Sequence, residues 1–217
     1  MAQKRIQSII MRNKITLSTG TLFHLSIEKI FHIAKKINFD GLELIIDDNK
    51  ESTDVEKLKK YTIEYELPIL SVHAPLDNCK VFGDEANNII LRTLEIAKSL
   101  GSKVVVFHPI REKNETYQND LRSGIKSNQN NAIKMVVENM PKKMEGNKTF
   151  YDPEPLEDFF GDICLDTSHL ATAKLDFKTK IESIINSVKH VHWQTVILLV
   201  REKIVLLMNT CRAHLEN

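Results

Sequence analysis

Short apolar runs alternating with stretches of helical periodicity constrain this chain more than any other feature of its sequence. Residues 14–18, 42–46, 68–73, 103–108, 132–138, 163–166 and 188–192 each read as a strand. The fourth, KVVVFH, is apolar at nearly every position, as expected of a strand covered on both faces. Amphipathic helices lie between the runs. Ser26 caps the first, whose apolar positions Ile27, Ile30, Phe31, Ala34 and Ile37 keep helical spacing. Thr53-Asp54-Val55-Glu56 has the form of a capping box, and Val55 and Leu58 open the buried stripe of the second. A third starts near Glu85, carries Ile90, Leu94 and Ala97 on one face, and stops at Gly101. Residues 112–131 mix loop with one helix, and 139–152 form a long polar loop.

Strand, helix, strand in repetition means parallel strands joined by right-handed crossovers. Seven strands favour an α/β fold of the TIM (β/α)8-type barrel, with the last β-α unit atypical or incomplete. No GxGxxG or GxxxxGK[ST] follows any strand, so an open nucleotide-binding sheet lacks its usual support. The reading is one domain over residues 1–217, with 1–10 as an extra N-terminal segment and 194–217 as an atypical C-terminal tail. A 42% apolar and 27% charged composition excludes disordered and collagen-like classes. Thirty basic residues against 29 acidic ones remove any whole-chain electrostatic case for nucleic acid.

Cys79, Cys164 and Cys211 form no CxxC pair, and such a sparse odd set implies reduced thiols in a cytoplasmic protein. The longest uncharged apolar runs near the end, 196–200 and 204–208, are far short of a membrane span of roughly 20 residues. The basic first segment is too interrupted for a signal peptide, and Met11 is an alternative start.

The chemistry concentrates at strand ends. His73 (SVHAP), His108 (VVFHP), Glu138 (VVENMP), Asp166 with His169 (CLDTSH) and His190 or His192 (KHVHW) close five successive strands. In a barrel those ends converge on one cleft. Converging imidazoles and carboxylates make a ligand set for a divalent metal ion, Zn or Mn first, with Mg, Co or Fe as further candidates. A single strand-end histidine is more often a hydrogen-bonded structural residue, and Asp166 also suits the N-cap of a helix from Thr167. Recurrence on five strands is what favours metal. His190 and His192 share one face of their strand; His192, nearer the end, is the ligand choice, and His190 orients it.

Other positions are weaker candidates. Glu43 in GLELII is either an internal hydrogen-bonded carboxylate or a substrate contact. His24 and His32 are surface or packing residues. Trp193 has a core or pocket-lining role, and Cys164 is a small core residue. Lys35-Lys36, Lys59-Lys60 and Lys142-Lys143 are solvated, the last pair on the side of the site.

The series VHAP, FHP, EN-M-P, LDTSH and HVH, one per strand, resembles the xylose isomerase-like TIM-barrel superfamily, from about Ile15 to Trp193. That group includes sugar isomerases and epimerases and the AP endonuclease family 2 enzymes (endonuclease IV). On the isomerase side the resemblance implies one divalent ion held by Glu138, Asp166, His192 and a further Glu from the last strand. Glu138 would move a proton beside a carbonyl, His169 would contact a substrate hydroxyl, and His73 and His108 would line the pocket with Trp193. The partner would be a small sugar or sugar phosphate. On the endonuclease side it implies three zinc ions, with His73, His108, Glu138, Asp166, His169 and His192 at ligand positions and abasic DNA as partner. The EN-M-P sequence and the near-zero charge place the isomerase reading first.

The resemblance ends after His192. Thr195 stands where the pattern has Asp, and the terminal strand Glu has no counterpart beyond Glu216. No glycine follows Gly161 and no proline follows Pro155. Two readings follow for the tail. It closes the barrel with an eighth strand at 196–200 and a helix over 202–215, or it records a change of reading frame near Trp193. The second reading leaves open strand edges, covered by homodimerisation through the apolar tail, and a metal-binding barrel without catalysis.

Overall fold

A computed structural model of the chain describes residues 13–47, 50–76, 83–109, 115–129, 132–140, 144–145, 148–149, 157–172, 177–193, 197–200, 203–206 and 211–214. Strand β1 (Lys14–Ser18) leads through the capped helix α1 (Ile27–Lys36) to β2 (Gly41–Ile45). Helix α2 (Val55–Glu64), β3 (Ile69–His73), α3 (Gly83–Leu100) and β4 (Val104–Phe107) continue the alternation. Then come α4 (Glu115–Asn128), β5 (Lys134–Glu138), and a two-stranded ladder of β6 (Met144–Glu145) and β7 (Lys148–Thr149). The ladder falls within the stretch expected as loop. Helix α5 (Glu157–Phe160), β8 (Ile163–Asp166), α6 (Thr167–Thr172), α7 (Phe177–Ile184) and β9 (Val188–Trp193) complete the regular part.

Local chemistry sets the element ends. The Ser26 side chain accepts from the Lys29 N–H and starts α1. The Ile37 side chain is 56% exposed rather than part of the stripe, because that residue is already the C-cap. For α2 the cap is Asp54, which accepts from Lys57 N–H at 3.0 Å; Thr53 instead bonds back to Lys50 O. The capping box expected there is therefore displaced by one residue. Gly101 takes φ +73°, the left-handed geometry that ends α3. At Gly41 a Cβ would stand 2.6 Å from Pro68 O, so only glycine lets β2 approach the start of β3.

The seven strands β1, β2, β3, β4, β5, β8 and β9 run parallel in one sheet. Alternate side chains serve two layers. Leu42, Leu44, Val72, Val105, Phe107, Met135 and Val137 pack outward with Phe31 and the helices. Val104, Val106, Val136 and Cys164 form a separate cluster on the other face. The strands are thus buried on both sides, which explains the near-continuous apolar run in β4.

The sheet closes into a barrel through β12 (Cys211–His214), which pairs with β1 and with β9. Both contacts are antiparallel. The expected helix over 202–215 is replaced by strands: β10 (Ile197–Val200) pairs with β11 (Lys203–Leu206), and β12 follows. A parallel return needs a long crossover, usually helical. Here the hairpin, rich in β-branched and aliphatic residues, occupies that stretch, and the chain re-enters the sheet from the opposite end. The final unit is atypical, and neither β1 nor β9 keeps an open edge. Among the described residues, no helix is long and apolar enough to cross a membrane.

Candidate metal centre

Parallel register gathers the strand-end residues. Glu138 lies beside Cys164, Cys164 beside His190, and Asp166 beside His192. Glu43 lies beside Ser71, and Ile45 beside His73. The result is a cluster in which His73, His190, His192, Glu43, Glu138 and Asp166 are all 3% exposed or less. No Lys or Arg among the described residues is buried with them. Three buried carboxylates with no buried Lys or Arg beside them are costly unless something positive enters.

Glu138 is the hub. Its Oε2 lies 2.9 Å from His192 Nδ1, 3.3 Å from His73 Nε2 and 3.6 Å from His108 Nε2. Its Oε1 lies 3.6 Å from His169 Nδ1. Backbone carbonyls determine which nitrogens carry protons. His73 Nδ1 donates to Ala74 O at 2.6 Å, and His108 Nδ1 to Leu76 O at 3.3 Å. Burial holds the His73 pKa below its ordinary value, so the ring is neutral and its Nε2 lone pair faces a carboxylate. Acceptors aimed at an acceptor repel one another until a cation stands between them. Neutral imidazole and carboxylate are also the ligand forms a divalent ion requires. The donor set therefore fits a metal.

Electrostatics agree. Burial opposes the charged form of Glu138, but His192, His108 and His73 outweigh it and hold its pKa well below the usual carboxylate range. Burial likewise opposes a charged His192, yet Cys164 and Glu138 beside it raise its pKa well above the histidine norm. The pair thus carries a proton on His192 that a metal ion would displace. Three ligand groups, each within 4.8 Å, follow: His73–His108–Glu138, Glu138–Asp166–His192, and Cys164–His190–His192. Glu138 belongs to two of them.

Asp166 does two things. Its Oδ1 accepts from Ser168 N–H, Ser168 Oγ–H and His169 N–H at 2.6–2.9 Å, capping α6 as its sequence suggested. Asn139 fixes the same loop. Its Oδ1 accepts from Asp166 N–H at 2.7 Å, its Nδ2 donates to Asp166 O, and its carbonyl accepts from His169 Nδ1 at 2.6 Å. His169 thereby directs Nε2 away from the backbone, and its side chain, 19% exposed, is the most accessible of the set. Sequence reasoning quoted the Glu-Asn pair but gave Asn139 no role.

Beneath the hub, Glu43 is the internal carboxylate of its two sequence readings. Its Oε2 accepts from Ser71 Oγ at 3.0 Å and His190 Nε2 at 2.9 Å, and lies 3.4 Å from His192 Nε2. It braces both histidines from below. Loss of such an outer partner typically costs 10–100-fold in metal affinity. Glu43→Gln is therefore expected to weaken zinc binding by about that factor, read by competition with a chromophoric chelator; unchanged affinity would show that Glu43 only fills space.

Other candidates lie elsewhere. Trp193 is 56% exposed and belongs to none of the three groups. That exposure removes the expected core role. His24 and His32 are exposed on the surface. Cys164 is buried as expected, its thiol pKa pushed up to about 12 by burial. Lys142-Lys143, Thr195 and Glu216 lie outside the described residues.

A family model described as xylose isomerase-like TIM barrel matches residues 31–196. An uncharacterized protein of Mycobacterium tuberculosis is 37% identical over 100 residues, 44% of this chain and 35% of that protein. The chain spans about a third of the length of the curated relatives it matches. A xylose isomerase domain-containing protein from Salmonella typhimurium has a similar fold, with TM-score 0.64 and 18% identity over 85% of this chain and 72% of that one. Endonuclease IV from Thermus thermophilus has TM-score 0.55 and 19% identity over 77% and 71% of the two chains.

Proposed function

Because the chain belongs to the xylose isomerase-like TIM-barrel family, we propose that it is a divalent-metal-dependent isomerase or epimerase acting on a sugar or sugar phosphate. The observation that carries this reading is the group Glu138, Asp166 and His192, two carboxylates and an imidazole on neighbouring strand ends. These residues would hold the ion. A bound divalent ion would polarise a substrate carbonyl and lower the barrier to losing the proton beside it. The protein supplies the rest. Glu138, ionised at neutral pH, takes up the proton from the carbon and returns it. His169, with Nδ1–H given to Asn139 O, presents Nε2 as acceptor to a substrate hydroxyl. His73 and His108, fixed by backbone carbonyls, line the site beside Glu138.

A second reading rests on the sharing of Glu138 between two ligand groups. A carboxylate shared in this way could serve a site of more than one ion, which would supply phosphodiester hydrolysis, with abasic DNA as the substrate class.

One experiment separates them: metal stoichiometry of the purified protein, together with two assays. Sugars and sugar phosphates are incubated in D2O and followed by NMR for deuterium beside the carbonyl; an oligonucleotide with one abasic site is followed for cleavage. One ion per chain with deuterium uptake supports the isomerase. Two or three zinc ions with strand cleavage overturn it in favour of the nuclease. Full metal occupancy with neither reaction points to a barrel that binds metal without catalysis.

A further inference from the structure

The inward face of β8 and β9 carries a second kind of ligand chemistry. Cys164 lies beside His190 in the parallel register, and His192 follows two residues on, beside Asp166. Residues two apart on a strand share a face, so Cys164, His190 and His192 gather on one side of the sheet. One ligand atom from each lies within 4.8 Å of the others, and all three residues are fully buried. Metal–sulfur and metal–nitrogen bonds of about 2.3 and 2.0 Å put the ligand atoms of one trigonal or tetrahedral ion roughly 3.3 to 3.7 Å apart. An inward shift of about 1 Å lets a single ion reach all three. His192 ties the two groups together: Glu138 Oε2 stands 2.9 Å from its Nδ1 and Glu43 Oε2 3.4 Å from its Nε2, in a site closed to water.

We propose that Cys164, His190 and His192 form a soft-metal site, separate in chemistry from the carboxylate centre, which takes a thiophilic ion such as Cd2+, Hg2+ or Cu+. One thiolate and two imidazoles select soft ions, whereas Mg and Mn go to oxygen ligands. Binding forms an Sγ–metal bond as the Sγ–H proton leaves to solvent. Glu43 holds the His190 ring through Nε2. Cys164 packs among Val104, Val106 and Val136, an apolar wall that suits a soft, weakly hydrated ion. His192 belongs to both groups. An ion held by Cys164 therefore draws His192 away from Glu138 and Asp166, and soft metals displace the working ion by taking its ligand.

The test is a Cd2+ titration of the metal-stripped full chain, read by the ultraviolet thiolate-to-cadmium charge-transfer band. The band is expected in the wild type, in Cys79→Ser and in Cys211→Ser. It is expected to vanish in Cys164→Ser and in Cys164→Ala, the second variant matching the apolar wall. His190→Gln should weaken the apparent cadmium affinity at least about tenfold. Zinc content is measured on every variant. Wild-type zinc in Cys164→Ala shows that the carboxylate centre stands whether or not the thiol site does. A band that survives removal of Cys164, or that never forms in the wild type, overturns the proposal.

Discussion

Glu138→Gln is expected to leave the purified protein without bound divalent metal. The amide keeps the size of the side chain and its place at the end of β5, so the strand is undisturbed. It removes the one carboxylate common to His73–His108–Glu138 and Glu138–Asp166–His192. It also places an NH2 donor opposite imidazole nitrogens, satisfying with a proton what otherwise calls for a cation. The loss should exceed the roughly 10–100-fold seen when only an outer-shell partner is removed. Metal analysis after gel filtration reads it directly. Asp166→Asn should also lose the metal of its own group while leaving His73, His108 and Glu138 intact. Wild-type metal content in both variants would sink the centre as drawn.

Phe31→Ala is expected to cost about 3–5 kcal/mol, the range for truncating a fully buried phenylalanine. Phe31 is 0% exposed on the inner face of α1. Its ring packs 5.7 Å from that of Tyr61 and 5.8 Å from that of Tyr65, joining α1 to α2 over the outer layer of the sheet. Against a typical stability of about 5–15 kcal/mol, that loss takes about a fifth at least. The midpoint of urea unfolding should fall with the slope unchanged, and Phe31→Leu should recover most of it. Because Phe31 faces the helices rather than the ligand cluster, metal bound per folded molecule should stay at the wild-type level. A loss under about 1 kcal/mol would mean that the site collapses to fill the gap.

Strand positions were legible because burial on both faces writes itself as unbroken apolar runs. β1 and β8 match their expected limits, and the others differ by a residue or two. The gathering of the strand-end residues was legible because a parallel barrel brings all such ends together, whatever lies between them. Three things were hidden. Glu43 gained its role from His190, 147 residues away, and only the closed ring makes those strands converge. Asn139 acts mainly through its own amide and carbonyl, and an Asn after a strand carries no signal of that. β12 was invisible because CRAH, although it alternates, is only four residues long and holds no β-branched residue, and it pairs with the two edges left by β1 and β9. The helix expected there came from reading a tail in isolation, where local preference alone speaks.

The closing strand has a consequence for how the molecule is made. Lys14 pairs with His214, so the ring joins the two ends of the described chain. At about 5–20 residues per second, a ribosome needs roughly 10–40 s to go from Lys14 to residues 211–214. Throughout that interval the parallel strands made so far can form only an open sheet. The nascent protein therefore keeps strand edges unpaired for longer than a fold built from neighbouring contacts would.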